Sequence, residues 1–164
     1  MCIRDRNYQF SQKDRIYLSG YFGRDVLTFA QPGRDFQFTL PYGNATATLR
    51  WNHLFTEKLF FNLSAIYNDY QFKAGFEQEE FNFDIFSGVR DFTAKFDFDY
   101  FPSNDHQVKT GIHATKHRLT PNIIRGSAGE TEFENTATAK YANEYAIYLQ
   151  DDWKINPWFR VNLG

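Results

Sequence analysis

Two pairs of residues stand at spacings that could support chemistry: Asp97 with Asp99, and His113 with His117. Paired carboxylates can act as acid and base in glycoside hydrolysis, and two histidines four residues apart on a helix can bind one metal ion. On a β-strand, Asp97 and Asp99 would instead be neighbours about 6.5 Å apart on one face, and the histidines would lie about 13 Å apart, too far to share an ion. No third catalytic group accompanies either pair. We therefore expect no enzyme activity, no metal site and no cofactor.

Both pairs lie in segments where apolar and polar residues alternate, the pattern of a β-strand with two different faces. Seven such segments follow one another, helical spacing is missing, and Phe, Tyr, Thr and Val are plentiful. We predict an all-β fold, an antiparallel up-and-down meander. The predicted strands cover residues 15–22, 46–55, 58–72, 92–101, 106–119, 143–155 and 158–164.

The links between these strands alternate in length. Those after the first, third and fifth strands are long, whereas "TE", "PSND" and "NP" make short turns after the second, fourth and sixth. All short turns of such a meander lie at one end and all long loops at the other, which is the arrangement of outer-membrane barrels. Strands of about 9 to 11 residues suffice to span a bilayer. The pattern therefore predicts part of a transmembrane β-barrel.

The polar residues of the alternating segments indicate what the barrel encloses. Burying so many charges in the small interior of a soluble barrel would cost several kcal/mol per unpaired ion, a cost that a hydrated lumen avoids. Rings beside the short turns, such as Phe60, Tyr100 and Trp153, match an interfacial girdle. A soluble all-β binding or adhesion module with a solvated polar face is the alternative. The residues predicted to face the lumen are Arg50, Asn52, Asn62, Lys95, Asp97, Asp99, His113, His117 and Asp152.

Composition narrows the class of protein. The chain has 164 residues and a formal net charge of −2, so we expect no nucleic-acid partner. No run approaches the roughly 18 apolar residues of a membrane helix. Residues 1–6, "MCIRDR", do not share the alternating pattern. We expect them to be a non-native scar ahead of a partial barrel domain, 7–164, that is cut at both ends.

The segment "TATLRWNHLFTEKLFFNLSAIYNDYQF" resembles a strand, turn and strand of TonB-dependent outer-membrane receptors, particularly the Bacteroidetes-type group. "FDYFPSNDHQVKTGIHATKHRLTP" and "NEYAIYLQDDWKINPWFRVNLG" resemble further barrel segments, and the resemblance covers about 14–164. It implies a bacterial outer-membrane location, contact with the lipid there, and a 22-stranded barrel closed by an N-terminal plug. Such a receptor imports a scarce ligand, for example a siderophore or an oligosaccharide, with energy from the TonB complex. We expect the plug and the TonB-contacting region to lie outside this stretch; a passive porin would share the same strands.

Ligand contact is expected on the long loops, because loops on a rigid scaffold carry binding. These loops mix rings with charges, although ordinary packing of aromatic side chains between neighbouring loops is the alternative. The candidate ligand-binding residues are Arg34, Phe36, Phe38, Phe76, Phe81 and Arg125.

Overall fold

The computed structural model describes residues 2–30, 33, 36–135 and 137–164. Within these ranges every regular element is a β-strand, as the alternating pattern predicted. No helix long and apolar enough to cross a membrane is found in them. The strands are β1 (Cys2–Gln9), β2 (Asp14–Ala30), β3 (Phe36–Thr56), β4 (Leu59–Gln78), β5 (Phe81–Tyr100), β6 (His106–Ala128), β7 (Thr131–Glu134), β8 (Lys140–Asn156) and β9 (Phe159–Leu163).

One open sheet holds all nine strands. Consecutive strands pair antiparallel from β1 to β6, then β6 pairs with β8 and β8 with β9, while the short β7 pairs with one end of β6. The ladder between β4 and β5 is unbroken, from Leu59 opposite Tyr100 to Gln78 opposite Phe81. The predicted all-β antiparallel meander is confirmed.

The strands run further than predicted, at the expense of the long loops. β4 ends at Gln78 and β5 begins at Phe81, so the link predicted over 73–91 is a tight turn, in which Glu79 has a φ of 50°. The loop predicted over 23–45 is likewise mostly strand, since β2 reaches Ala30 and β3 begins at Phe36. The prediction of long loops was therefore wrong for these two links, and in the third, predicted over 120–142, residues 120–128, 131–134 and 140–142 are also strand. The prediction failed because the apolar side chains move to the other side of the sheet, as described below, while the strands themselves continue.

Strands β1 and β7 are the two that alternation did not predict. β1 includes residues 2–6 and pairs with β2 through Gln9. β7 has four exposed residues and pairs with β6. Both are edge strands, which are held by backbone hydrogen bonds on one side and need no alternation of side chains.

The sheet is a single layer without a core. Of the described residues, no hydrophobic side chain is buried, and Ser64, 4% exposed, is the buried polar one. Large apolar side chains such as Phe92 and Ile147 are 54% and 79% exposed. A soluble domain buries the apolar side of a sheet against a second layer. This sheet needs an apolar partner or an apolar medium instead.

Candidate functional site

The register of the strands sorts the side chains into two faces. Successive side chains of a strand point to opposite sides, and residues directly opposite each other on neighbouring strands share a side. Asn62 on β4 lies opposite Asn52 on β3 and Asp97 on β5, and these residues define the front face. The preceding residue, Phe61, lies opposite Phe98 and marks the back face.

The front face is polar over the middle of the sheet. Asn52 Nδ2 donates a hydrogen bond of 3.1 Å to Asn62 Oδ1, and Lys109 Nζ lies 3.9 Å from Asp99 Oδ1. The register places every residue predicted to face a lumen on this one face: Arg50, Asn52, Asn62, Lys95, Asp97, Asp99, His113, His117 and Asp152. The sheet therefore has a polar wall in which some of these side chains pair across neighbouring strands.

A glycine in β6 allows two polar side chains to meet across that strand. Gly111 lies between Asp97 on β5 and Tyr148 on β8. The Tyr148 hydroxyl donates to Asp97 Oδ1 at 2.9 Å, and a Cβ on Gly111 would lie 2.6 Å from that oxygen and 2.6 Å from the tyrosine ring. His113 Nε2 lies 3.0 Å from the same oxygen. Asp97 thus joins three strands through one carboxylate.

Each of the four histidines of the chain pairs with an aspartate on a neighbouring strand. His113 and His117 bind separate carboxylates, Asp97 and Asp91, rather than one shared ion. Within the described ranges, no group of three or more His, Cys, Asp or Glu side chains could hold a metal ion. The hydrogen bond to Asp91 raises the pKa of His117, and this effect exceeds the opposing effect of partial burial.

The back face carries an uncharged apolar band. On β5 it spans the nine positions from Phe92 to Tyr100, and its back-face members there are Phe92, Ala94, Phe96, Phe98 and Tyr100. That length matches the roughly 9 to 11 residues with which a tilted strand crosses a bilayer. The apolar band consists of the back-face residues of 16–22, 45–51, 59–67, 92–100, 108–114 and 145–149.

Rings and polar groups share the edge of the band beside the short turns. Trp51 Nε1 donates a 3.0 Å hydrogen bond to Asp14 Oδ1, and His53 Nδ1 lies 2.6 Å from the same oxygen. Further along the sheet, the His106 ring stacks on Trp153 with centroids 5.3 Å apart. Aromatic side chains with a polar end suit a boundary between an apolar medium and water.

Charged residues form the opposite edge of the band. Asp69 on β4, Arg90 on β5 and Arg118 on β6 lie directly opposite one another, and Lys116 precedes Arg118 on the same face. Arg90 Nη2 lies 2.7 Å from Asp69 Oδ2. Burial raises the pKa of Asp69, but hydrogen bonds from Arg90 and Tyr67 lower that pKa by more, so it lies below its usual value. The hydrogen bond to Asp69 in turn raises the pKa of Arg90. We refer to Arg90, Lys116 and Arg118 as the cationic cluster.

Strands β2 to β6 continue beyond this edge, together with β7, and we refer to this part as the extension. Its apolar side is the front face, opposite to that of the band. On β5, Phe96 and Phe98 lie on the back face within the band, whereas Phe83 and Ile85 lie on the front face within the extension. The β4–β5 ladder is unbroken between these two parts. On the back face, Lys73 Nζ pairs at 3.2 Å with an Asp84 oxygen. The extension comprises 24–30, 36–43, 70–78, 81–89, 119–128 and 131–134.

The front face of the extension carries a cluster of phenylalanines, which we refer to as the aromatic patch. Its ring centroids include a Phe36–Phe76 pair at 5.4 Å and a Phe76–Phe81 pair at 5.9 Å. Four members lie directly opposite one another across β2 to β5: Phe29, Phe38, Phe76 and Phe83. Of the described front-face residues in the extension, Asp25 alone is charged. The patch is therefore an apolar surface on the side that is polar elsewhere.

Gly126 continues the phenylalanine row onto β6 and β7. It lies opposite Phe83 on one side and Phe133 on the other. A Cβ on Gly126 would collide with the Phe133 ring and lie 2.8 Å from the Asn82 carbonyl oxygen. The glycine therefore makes room for Phe133 to lie across β6 toward the patch.

The structure brings together four of the six predicted ligand-binding residues. Phe36, Phe38, Phe76 and Phe81 belong to the aromatic patch, but they lie on strands, so their predicted placement on loops was wrong. Arg125 is also on a strand, on the back face, where its Nε binds Glu134 at 2.8 Å.

Arg34 lies outside the described residues. The prediction missed Phe29, Phe83 and Phe133. Of these, Phe83 could have been predicted from the alternation of "FNFDIFSGV" at 81–89, which is out of phase with that of 92–100.

Comparison with solved structures gives a likeness at the level of the fold. No protein-family model matches the sequence, and no curated protein matches it. The chain is similar to the crystal structure of the ferric yersiniabactin uptake receptor FyuA from Yersinia pestis, with a TM-score of 0.67 and 11% sequence identity. The match covers 96% of this chain and 26% of that receptor, so the chain spans about a quarter of the receptor's length. At this identity the likeness shows the fold alone.

Proposed function

We propose that this chain is part of the barrel wall of a TonB-dependent outer-membrane transporter, which imports a scarce ligand such as a siderophore or an oligosaccharide. The observation that carries the proposal is the apolar band: on each of the central strands β4 and β5 it spans nine positions, whose five back-face residues are uncharged, and it is limited by rings at one edge and charges at the other. Its partners would be outer-membrane lipid, the ligand, and a TonB complex acting through a region outside this stretch.

The energetics of the band favour lipid over water. Soluble monomers rarely expose contiguous apolar patches larger than a few hundred Å², since each Å² left in water forgoes about 25 cal/mol. Band residues such as Leu18, Leu49 and Leu149 are 54%, 50% and 66% exposed in the single-layer sheet. Acyl chains would cover them, while the polar front face would line hydrated space, as in membrane barrels generally.

The extension supports a ligand-binding role at the end of the sheet away from the turns at 57–58, 101–105 and 157–158. Its polar back face suits water, so this part of the sheet would stand outside the membrane. Its front face is on the side of the proposed lumen, where the aromatic patch would meet an incoming ligand. Phenylalanine rings without neighbouring charges suit a ligand with a flat apolar surface, such as an aromatic chelate or the less polar side of a sugar.

Labelling of single cysteines tests which face meets lipid. The whole protein, in its native membrane and with every other cysteine replaced by Ser, would receive either Lys95→Cys on the front face or its neighbour Ala94→Cys on the back face. We expect a water-soluble maleimide to label position 95 and to spare position 94. Equal labelling of both, in a protein recovered without detergent, would contradict the membrane assignment and support the soluble alternative.

Energy dependence separates the proposed transporter from a passive porin. Uptake of candidate ligands, ferric chelates and oligosaccharides, would be measured before and after a protonophore collapses the energy supply. We expect uptake to stop while ligand binding at the cell surface persists. Uptake that continues at the same rate would identify a passive pore.

A further inference from the structure

The cationic cluster carries more positive charge than its neighbours neutralise. Arg90 and Arg118 lie directly opposite each other, and like charges in that position destabilise a sheet. Asp69 binds Arg90, and among the described residues Arg118 and Lys116 form no ion pair. Lys116 instead lies 5.9 Å from the centre of the Tyr141 ring. Two positive charges therefore stand without a counterion at the edge of the apolar band.

An apolar groove leads to these charges. Ala65, Ala94 and Ala114 lie directly opposite one another across β4, β5 and β6, between rows of larger side chains. The small side chains leave a groove of about 550 Å³, and Lys116 and Tyr145 are among the residues that line it. Its floor belongs to the apolar band, Lys116 is part of its lining, and Arg118 follows two residues further along the same face of β6.

This surface matches a molecule with an apolar chain and an anionic end. Guanidinium and ammonium groups bind phosphate oxygens through charge-assisted hydrogen bonds. The charges stand where the band ends, which is where the headgroups of a bilayer would begin. A soluble anion would leave the groove unfilled, and an uncharged lipid would leave Lys116 and Arg118 without a counterion.

We infer that the cationic cluster and the alanine groove bind a lipid whose headgroup carries phosphate, with the phosphate between Lys116 and Arg118 and an acyl chain along Ala65, Ala94 and Ala114. The inference rests on the proposed position of this chain in a membrane wall. The two proposals can fail separately. A protein absent from the membrane fraction would contradict the membrane wall itself. A membrane protein that does not select between lipids would contradict the lipid site alone.

Titration of the purified whole protein in neutral detergent tests the site. Native mass spectrometry would measure the Kd for phosphatidic acid and for diacylglycerol with the same chains, which lacks the phosphate. We expect phosphatidic acid to bind more tightly, and the double variant Lys116→Gln and Arg118→Gln to weaken its binding about thirty-fold, since each cation near a membrane surface contributes roughly 1 kcal/mol. Arg24→Gln is the matched control, an exposed cation on the same face away from the groove, and should leave the Kd unchanged.

Two further measurements make the result decisive. Ala94→Leu would narrow the groove and weaken phosphatidic acid binding, while leaving inorganic phosphate binding unchanged. Without lipid, Arg118→Gln should keep or raise the Tm, because it removes the Arg90–Arg118 repulsion, so lost lipid binding would not reflect misfolding. Equal Kd values for the two lipids, or wild-type affinity in the double variant, would overturn the lipid site. Binding of inorganic phosphate as tight as that of phosphatidic acid would overturn it in favour of a soluble anion.

Discussion

Phe38 and Phe76 lie directly opposite each other on the front face, whereas Trp51 and Leu63, further along the same two strands, lie opposite each other on the back face. One ladder therefore has apolar side chains on opposite sides at its two ends. A sheet in a single medium keeps its apolar side constant, since that side is the one removed from water. The change of side marks a change of surroundings, which the proposed membrane boundary explains.

Phe76 is the centre of the aromatic patch, with Phe36 and Phe81 packed against it. We expect Phe76→Ala to weaken ligand binding by about 1–2 kcal/mol, roughly ten-fold, because it removes the ring shared by both pairs. The measurement is the half-saturating concentration for uptake, with whichever ferric chelate or oligosaccharide the wild-type protein imports. Phe86→Ala, on the back face of the same extension, is the control, and an equal effect there would argue against a ligand surface at the patch.

Gly126 is the position where a small side chain matters most to the patch. We expect Gly126→Ala to destabilise the whole protein by about 1–3 kcal/mol, because its Cβ would collide with the Phe133 ring and approach the Asn82 carbonyl. Chemical unfolding in detergent measures the loss of stability. Gly20→Ala is the matched control, since a Cβ there meets nothing closer than 3.8 Å. A smaller loss at Gly126 than at Gly20 would contradict this packing.

The strands of the apolar band were predictable because their alternation has a single phase. In "FTAKFDFDY", Phe92, Phe96 and Phe98 fall on alternate positions, and both the strand and its faces follow. The extension was not predictable by the same means, because the phase shifts by one residue near Arg90 and Asp91. A shift of that kind is also what a strand end and a new loop produce.

Contacts across the sheet depend on register, which alternation leaves open. The sequence placed His113 on the same face as His117, but not next to Asp97, which is sixteen positions earlier in the chain. The cross-strand opposition of Arg90 and Arg118 likewise depends on how β5 and β6 align. Part of the aromatic patch could be predicted because its rings stand out in the sequence. The cationic cluster could not be predicted, because its members come together only through the register of β5 and β6.

Tyr148 and Asp97 offer a test of the polar wall. Tyr148→Phe would remove the 2.9 Å hydrogen bond and should cost about 0.5–1.5 kcal/mol of stability. Gly111→Ala should cost more, because its Cβ would also crowd the backbone oxygen of Phe96 at 2.7 Å. Urea unfolding in detergent would compare the two variants. A larger loss in Tyr148→Phe than in Gly111→Ala would contradict the close approach across β6.

The raised pKa of His117 predicts that the stability of the protein depends on pH. The hydrogen bond to Asp91 raises its pKa above the ordinary value of 6.5, so the folded state binds this proton more tightly than the unfolded state. The contribution to stability is therefore fully present below about pH 6.5 and is lost as pH rises through the folded-state pKa. Asp91→Asn should lower the pKa of His117, measured from its NMR chemical shift. Asp84→Asn, on the back face, should leave it unchanged; an unaltered pKa in Asp91→Asn would show that another group causes the shift.

The isolated segment 7–164 should not unfold cooperatively. Its sheet has no buried hydrophobic side chain among the described residues, and its edge strands pair on one side each. Cooperative melting requires apolar surface that becomes exposed on unfolding, and here that surface already faces the surroundings. We expect circular dichroism of the segment in a neutral detergent to change gradually with temperature, whereas the whole protein in the same detergent melts sharply. A sharp transition of the segment alone would mean that detergent on the apolar band and the cross-strand pairs suffice to hold the sheet without the rest of a barrel.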